Sequence, residues 1–274
     1  MRSDSTTTAP VHRWQTGPRR WGGTVIQSLD PAPVEEAPAL AAVSGSLAPA
    51  AARDRDQVTV WPRSQVLSNE STFTRWAYVD EIAPIHGQPN GSSAVLARLH
   101  WNTEDGFPEI YLLLRASWDA QGREWIELRI PGRPNGRTGW VQRAALGAFH
   151  LTDQLLVVNR EQLRMYFYID GGLRWSAPVA VGKPSTPTPP GRFWIRERFA
   201  IDDPQSGYWP YAFGTSDYST LTDWPGGGVV GIHGPYYEPQ LIPGRISHGC
   251  IRLRVGDDEW LAQHLGLGTP VRVL

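Results

Sequence analysis

The sequence predicts a mainly β protein with a small β barrel or sandwich followed by a second β domain that has one short helix near its end. Three observations lead to this prediction. Short apolar or alternating runs recur from about residue 57 onward, separated by Gly, Pro and Asn turn signals. Only one segment, close to the C-terminus, has the start and stop signals of a helix. The 274 residues suffice for about two domains of ordinary size.

Composition limits the kinds of partner that we expect. The formal net charge is -1, with 19% charged and 41% hydrophobic residues. A nearly neutral chain is not expected to have nucleic acid or an anionic membrane as its main partner. No run approaches eighteen consecutive apolar residues, so the sequence predicts no membrane span. The single cysteine, Cys250, excludes an internal disulfide and any metal site built from several cysteines.

Residues 1–56 are predicted to be a disordered tether. They are rich in Ala, Pro, Ser and Thr and follow neither a helical nor a strand period. Such a segment buries too little apolar surface to fold alone. The apolar stretch 37–52 is interrupted by Pro49 and lies too far from the start to be a convincing signal peptide.

Residues 57–149 are predicted to form the first β domain. Turn residues separate its apolar runs, as they do between the strands of a small barrel or sandwich. The stretch Gly136–Val141 resembles the last strands of bacterial SH3-like domains, which implies an SH3-like β domain. The runs predicted as strands are Val58–Trp61, Ser93–Leu99, Glu109–Leu114 and Glu124–Arg129.

Residues 150–274 are predicted to form the second β domain. Gln154–Asn159 and Arg164–Ile169 have the length and composition of the two arms of a hairpin, and Trp175–Val181 is predicted as a further strand. Four prolines between Gly182 and Ile195 indicate a rigid surface loop. Asp257–His264 is predicted as a helix, because two carboxylates at its start complement the helix dipole.

The stretch Ile246–Leu253 holds the only cysteine, Cys250, with His248 two positions before it and His233 seventeen positions before it. A thiolate is a strong nucleophile, and a nearby imidazole can take the proton of the thiol. We therefore predict that Cys250 is a catalytic nucleophile. Two other uses stay open: a buried structural cysteine, and a zinc site in which both histidines and Cys250 are ligands.

Three motifs occur in an order that resembles the YkuD-type L,D-transpeptidase family. They are Gly231-Ile232-His233-Gly234, then Ser247-His248-Gly249-Cys250-Ile251-Arg252-Leu253, and upstream of both the loop Thr188–Phe193. The resemblance covers about 120 residues. It implies a β-sandwich catalytic domain that needs neither cofactor nor metal.

The resemblance also implies a reaction on peptidoglycan. Such enzymes cleave a tetrapeptide stem after its third residue, release D-alanine and keep the acyl group as a cysteine thioester. A side-chain amine of a second stem then takes the acyl group, which makes a 3→3 cross-link. The same resemblance implies action in the cell envelope and acylation of Cys250 by carbapenems. An L,D-carboxypeptidase, with water as the acceptor, and a wall-binding module without catalysis are the alternatives.

Residue types predict catalytic roles for Cys250, His233, His248 and Gly249, and the resemblance adds a role for Gly234, which is also counted with the substrate-binding residues. Cys250 is the nucleophile and His233 is the general base, with its imidazole oriented by the main-chain carbonyl of Gly234. His248 supports the site or the developing oxyanion. The amides of Gly249 and Cys250 are expected to face that oxyanion.

Four further residues are predicted to bind substrate or shape its site. Arg252 lies two positions after Cys250 and in a strand would share its face, where it either binds a substrate carboxylate or favours the thiolate. Ser247 is expected to hydrogen-bond the backbone of the turn. Trp209 and Tyr211 belong to an aromatic loop that is predicted to flank the substrate, or else to pack on itself.

Overall fold

The computed structural model describes residues 25–28, 64–223, 225–234 and 239–274. Within these ranges the chain forms nineteen strands in two sheets and one α-helix. The first nine strands are β1 (Val25–Ser28), β2 (Gln65–Val66), β3 (Thr74–Val79), β4 (Pro84–His86), β5 (Val95–Arg98), β6 (Ile110–Trp118), β7 (Glu124–Arg129), β8 (Thr138–Gln142) and β9 (Leu146–Thr152). The remaining elements are β10 (Gln154–Asn159), β11 (Arg164–Ile169), β12 (Gly172–Pro178), β13 (Ala180–Gly182), β14 (Gly191–Ile201), β15 (Tyr211–Tyr218), β16 (Val229–His233), β17 (Gly244–Ser247), β18 (Ile251–Arg252), α1 (Val255–His264) and β19 (Pro270–Val273).

Strands β2 to β9 form an antiparallel sheet in the order β5-β4-β8-β7-β6-β3-β9, with β2 beside β6. Its central strand β6 buries both faces. Tyr111 and Leu113 belong to the core of this sheet, whereas Ile110 and Leu112 pack into the core of the second sheet. Trp76 on β3 also enters the second core. Because successive side chains of a strand point to opposite faces, the N-terminal sheet lies directly on the C-terminal one.

The other eleven strands form a sheet in the order β12-β11-β10-β19-β14-β15-β16-β18-β13-β17, with β1 beside β14. The long strand β14 joins its two halves, because residues 191–194 pair with β19 and residues 195–200 pair with β15. Apolar side chains from both halves, among them Phe167, Phe193 and Phe213, pack into one core. The sheet therefore curves around this core and brings its two edges into one domain.

The strand predictions for the first domain are confirmed where the structure describes them. Glu124–Arg129 is β7, and Ser93–Leu99 and Glu109–Leu114 contain β5 and the start of β6. Val58–Trp61 lies outside the described residues. The sequence did not predict β3, whose buried residues do not alternate with exposed ones because both of its faces are covered. The boundary predicted after residue 149 falls within β9, which ends at Thr152. The SH3-like fold stays a prediction.

The hairpin of the second domain is confirmed at its predicted bounds, with Gln154–Asn159 paired antiparallel to Arg164–Ile169. The single strand predicted over Trp175–Val181 is wrong. β12 ends at Pro178, and β13 starts at Ala180 in another part of the same sheet. Proline has no N–H with which to continue a ladder, which explains why the strand is divided at this point.

The proline-rich loop is shorter than predicted. Strand β14 begins at Gly191, because Phe193 and Ile195, which the sequence placed in the loop, are buried in the core. Helix α1 starts at Val255, two residues before the prediction, and ends at His264 as predicted.

Part of the predicted tether is a strand. Val25–Ser28 form β1 and pair with Phe199–Ile201 of β14, so the prediction of a segment without strands is wrong for these four residues. The rest of residues 1–56 lies outside the described residues. Within the described ranges, no helix is both long enough and apolar enough to cross a membrane.

Candidate active site

Two parallel strands bring the candidate nucleophile and base together. β16 and β18 are neighbours, and His233 pairs with Arg252. Cys250 immediately precedes β18, and the N–H of Gly231 donates to its Sγ over 3.4 Å. Paired residues of neighbouring strands share a face, as do residues two apart in one strand. His233, Cys250 and Arg252 therefore meet on one face, and Gly231 has no side chain to fill the space between them.

The turn that carries Cys250 is held by a buried serine. The hydroxyl of Ser247 accepts a hydrogen bond from the N–H of Gly249 over 3.1 Å and donates to the carbonyl of Cys250 over 2.5 Å. Gly249 has a φ of 127°, and a Cβ at this position would lie 3.0 Å from Cβ of Ser219. Ser247 therefore hydrogen-bonds the backbone of the turn as expected, and the role of the Gly249 amide toward an oxyanion stays a prediction.

The proline-rich loop lies against this turn through polar groups. Thr188 Oγ1 donates to the carbonyl of Gly249 over 2.6 Å, and Thr186 Oγ1 donates to the carbonyl of Ser247 over 3.2 Å. Both threonines are buried, although the prolines between and after them are not fully covered. The N–H of Lys183 also donates to the carbonyl of Ser247. The loop therefore holds the main chain before Cys250 through three hydrogen bonds.

His233 is buried next to backbone carbonyl groups. Its side chain is 1% exposed, and its Nδ1 lies 2.8 Å from the carbonyl oxygen of Gly234. Because a carbonyl only accepts, Nδ1 carries the proton of the neutral ring. Burial, followed by the charge of Arg252, lowers the pKa of His233 to about 3, while the carbonyls of Gly234 and Gly207 act in the opposite direction. The imidazole is therefore neutral in the resting protein.

The aromatic loop before β15 covers this histidine. The ring of Tyr208 lies 4.7 Å from the ring of His233, measured between centroids. A Cβ on Gly234 would lie 2.0 Å from the carbonyl oxygen of Trp209, so the loop backbone approaches as closely as a glycine allows. Of the two aromatic residues that the sequence singled out, Trp209 thus borders the site through its backbone.

Tyr211, the second of those residues, has a structural environment. Its ring packs against the core of the C-terminal domain. Its N–H donates to Oδ2 of Asp258, a fully buried carboxyl group whose pKa is raised well above the usual value by burial. These contacts tie the start of β15 to helix α1, and the substrate contact predicted for Tyr211 stays a prediction.

His248 lies in the open part of the site. Its Nε2 is 3.2 Å from Nζ of Lys183, so the ammonium group donates to the neutral ring. Partial burial lowers the pKa of His248, and the charges of Lys183 and Arg252 lower it further. Two cations, Lys183 and Arg252, therefore act on His248, which lies two positions before Cys250.

Lys183 is a functional candidate that the sequence analysis missed. It is the only lysine among the 26 Lys and Arg residues of the chain. In a chain that otherwise uses arginine for positive charge, a single lysine is a signal that could have been noticed. Thr186, Thr188 and Tyr208 gave no such signal, because their contacts depend on how two loops fold onto the turn.

No group of three or more His, Cys, Asp or Glu side chains within the described ranges is placed to hold a metal ion. His248 and Cys250 of the zinc alternative lie in the turn between β17 and β18, whereas His233 ends β16. The arrangement has a thiol, a neutral imidazole and two nearby cations, groups that a nucleophilic acyl transfer can use.

Residues 153–273 match the family model described as "YkuD: L,D-transpeptidase catalytic domain". The match starts directly after β9 and contains His233 and Cys250 together with strands β10 to β19. This segment, which is less than half of the chain, is therefore similar to the YkuD-type L,D-transpeptidase catalytic domain.

The chain is also similar to a curated protein. The protein named "Probable L,D-transpeptidase 3" of Mycobacterium tuberculosis is 31% identical over 116 residues, which are 40% of this chain and 41% of that protein. The chain thus spans less than half of the length of this curated relative.

Two solved structures are similar over different shares of the chain. The catalytic domain of the E. faecium L,D-transpeptidase is 27% identical and covers 44% of this chain and 97% of its own, with a TM-score of 0.32. L,D-transpeptidase 3 from Mycobacterium tuberculosis is 16% identical and covers 72% of this chain and 98% of its own, with a TM-score of 0.40.

Proposed function

We propose that this protein is a peptidoglycan L,D-transpeptidase that forms 3→3 cross-links through a thioester on Cys250. The observation that supports this most strongly is the placement of Cys250 and the buried, neutral His233 on one face of two parallel strands. The similarity of the same segment to the YkuD family supports peptidoglycan as the substrate class. Peptidoglycan lies outside the cytoplasmic membrane, so we propose that the domain acts there.

In the first half-reaction, Nε2 of His233 takes the proton of the Cys250 thiol. Sγ attacks the carbonyl carbon of the third residue of a tetrapeptide stem, and a tetrahedral oxyanion forms. The bond between this carbon and the nitrogen of D-alanine then breaks, and the imidazolium gives its proton to the leaving amine. The products are free D-alanine and a Cys250 thioester.

In the second half-reaction, a side-chain amine of another stem attacks the thioester carbon. His233 takes a proton from this amine, the C–S bond breaks, and the proton returns to the Cys250 sulfur. A new amide joins the two third residues, which is the 3→3 cross-link. No electron transfer and no additional reactant is needed.

The environment of His233 suits this proton relay. Burial keeps the ring unprotonated at physiological pH, which leaves Nε2 with a lone pair for the thiol proton but makes the resting ring a weak base. The imidazolium that forms during the reaction is stabilised by the carbonyl of Gly234 at Nδ1 and by the charge of the thiolate. The proton affinity of His233 therefore rises when negative charge forms on the Cys250 sulfur.

Lys183 and Arg252 are proposed to bind a carboxylate of the donor stem. Both carry charge beside His248 and so beside the entrance to Cys250. A stem peptide has a carboxylate on its terminal D-alanine, and charge-assisted hydrogen bonds to it would orient the bond to be cleaved. Trp209 is proposed to form the wall of this entrance next to the His233 loop.

Mass spectrometry of the intact protein tests the proposal. Wild-type protein and Cys250→Ala are mixed with a disaccharide-tetrapeptide, and the small products are analysed in the same sample. We expect D-alanine release, a transient acyl adduct and a cross-linked dimer with the wild-type protein, and none of these with the variant. A carbapenem should add its mass to the wild-type protein alone, because its strained amide is an acyl donor.

Two results would change the assignment. D-alanine and a free tripeptide stem without any cross-linked dimer would indicate an L,D-carboxypeptidase. The absence of both D-alanine and adduct, together with retention of the Cys250→Ala variant on cell-wall sacculi, would indicate a binding module.

A further inference from the structure

The N-terminal sheet contacts the YkuD domain close to Cys250 through one loop, residues 130–137, which joins β7 to β8. Two side chains of this loop cross to the other domain. The guanidinium of Arg133 donates to the carbonyl of Ser219 from Nε over 3.0 Å and from Nη2 over 2.6 Å. Nη2 also donates to the carbonyl of Leu221 over 3.1 Å. A fork of this kind fixes the direction of both carbonyls.

Asn135 holds the same segment from its other end. Its Nδ2 donates to Oδ1 of Asp217 over 2.7 Å and to the carbonyl of Tyr218 over 2.9 Å, and its Oδ1 accepts the N–H of Tyr218 over 3.1 Å. Asp217 is buried, and burial raises its pKa well above the usual value. The amide of Asn135 thus satisfies polar groups that the YkuD domain does not satisfy itself.

The segment held in this way, residues 217–221, forms one side of the Cys250 turn. Cβ of Ser219 is 3.0 Å from the position that a Cβ on Gly249 would take. The N–H of Ser219 donates to the carbonyl of Gly228 over 2.8 Å, directly before β16. A Cβ on Gly228 would lie 2.6 Å from Nη2 of Arg133, so the guanidinium also borders the start of the strand that ends in His233.

We propose that Arg133 and Asn135 are positioning residues, through which the N-terminal sheet holds residues 217–221 against Gly249 and thereby fixes the Cys250 turn relative to β16. Neither side chain needs to touch the substrate. The geometry of a nucleophile is strict, and a displacement of about 1 Å can reduce turnover by up to about a hundredfold. The YkuD domain would then depend on the N-terminal sheet for the rate of reaction as well as for stability.

Hydrogen exchange tests the structural part of this proposal independently of any activity. In Arg133→Gln, we expect faster amide exchange in peptides that cover residues 216–222 and 246–252, because their tie to the loop is lost. Arg129→Gln is the matched control. Arg129 lies in the same sheet and makes a bidentate pair with Glu70, with no bond to residues 217–221. We expect it to lose stability without faster exchange at 246–252.

Kinetics test the consequence, and this part rests on the proposed transpeptidase function. We expect Arg133→Gln to lower kcat about tenfold with KM changed less than twofold, and Arg133→Lys to recover part of the loss because one donor remains. Arg129→Gln should keep wild-type kcat. Arg133 is exposed, so its replacement is expected to leave the protein folded.

The outcomes separate the two proposals. Unchanged exchange at 246–252 in Arg133→Gln would overturn the positioning role, and so would equal losses of kcat in the Arg133 and Arg129 variants. If the wild-type protein releases no D-alanine, the proposed function fails, while the exchange comparison still decides whether Arg133 positions the turn.

Discussion

The two histidines that border Cys250 lie in opposite environments. His233 ends a fully buried strand, has its Nδ1 bound to the carbonyl of Gly234 and is covered by Tyr208. His248 lies on an open turn, with its Nε2 next to the ammonium of Lys183. Burial is the main reason why the pKa of each histidine is lowered. The charge of Arg252 acts on both rings, and His248 is in addition in contact with Lys183.

This difference indicates that the two histidines have different roles. A buried ring with one nitrogen fixed by a carbonyl has a single tautomer and a single orientation, as a general base requires. An accessible ring between two cations is held neutral by its neighbours and can respond to an anionic ligand that displaces or neutralises them. We infer that His233 acts on the proton of Cys250 and that His248 acts on the substrate side of the site.

The largest effect is expected from replacing the buried histidine. His233→Gln should lower kcat for D-alanine release by about 10²- to 10⁴-fold, since the general base is removed while the amide can still reach the carbonyl of Gly234. His248→Gln should lower it about tenfold or less. His264→Gln is the control, because that ring stacks on Trp260 outside the site. Equal losses for His233 and His248 would contradict the division.

The pH dependence of stability offers a second way to separate His233 from its surroundings. Its pKa is about 3 in the folded protein and 6.5 in the reference state, so the unfolded chain binds the additional proton between these values. The stability associated with the neutral ring is therefore complete above pH 6.5 and is lost as the pH falls toward 3.

Urea unfolding of the wild type and His233→Gln at pH 7 and pH 5 measures this term. We expect the difference in the free energy of unfolding, wild type minus variant, to be smaller at pH 5 by about 2 kcal/mol. Because glutamine does not titrate, other groups cancel in the comparison. The same difference at both pH values would show that the ring is not held neutral by burial.

The smallest effect is expected at the open histidine. Lys183→Met should raise the pKa of His248 toward its usual value, because a positive neighbour is removed, and NMR titration of the imidazole signals would report it. It should also raise KM about threefold, because the contact between Lys183 and a carboxylate of the substrate is lost. Lys183→Arg, which keeps the charge, serves as the control. An unchanged titration of His248 in Lys183→Met would remove Lys183 from this site.

Local pattern was enough to predict much of the fold. The hairpin Gln154–Asn159 with Arg164–Ile169 and the strand Glu124–Arg129 lie where the turn signals and apolar runs place them. Strand β3 was missed because it packs on two cores at once and loses the alternation on which prediction depends. The pairing of β1 with β14 depends on a long-range contact that no local pattern contains. The division at Pro178 was missed although the proline itself is a local signal against a continuous strand.

The site was predictable where residue type and sequence motif coincide, as for Cys250 and His233, whose roles stay proposals. The surroundings were not. Thr188 contacts Gly249 across about sixty residues of sequence, and Arg133 reaches Ser219 across more than eighty. Such contacts follow from tertiary packing and not from spacing.

The most direct test of the division between the histidines uses the fact that Cys250 is the only cysteine. The rate of its alkylation by iodoacetamide, measured from pH 5 to pH 10, reports thiolate formation at this residue alone. We predict that His233→Gln slows alkylation near neutral pH by about tenfold or more and shifts the profile to higher pH, whereas His248→Gln follows the wild-type profile within about twofold. The reverse pattern, or equal profiles for all three proteins, would contradict the assignment of His233 as the base that acts on Cys250.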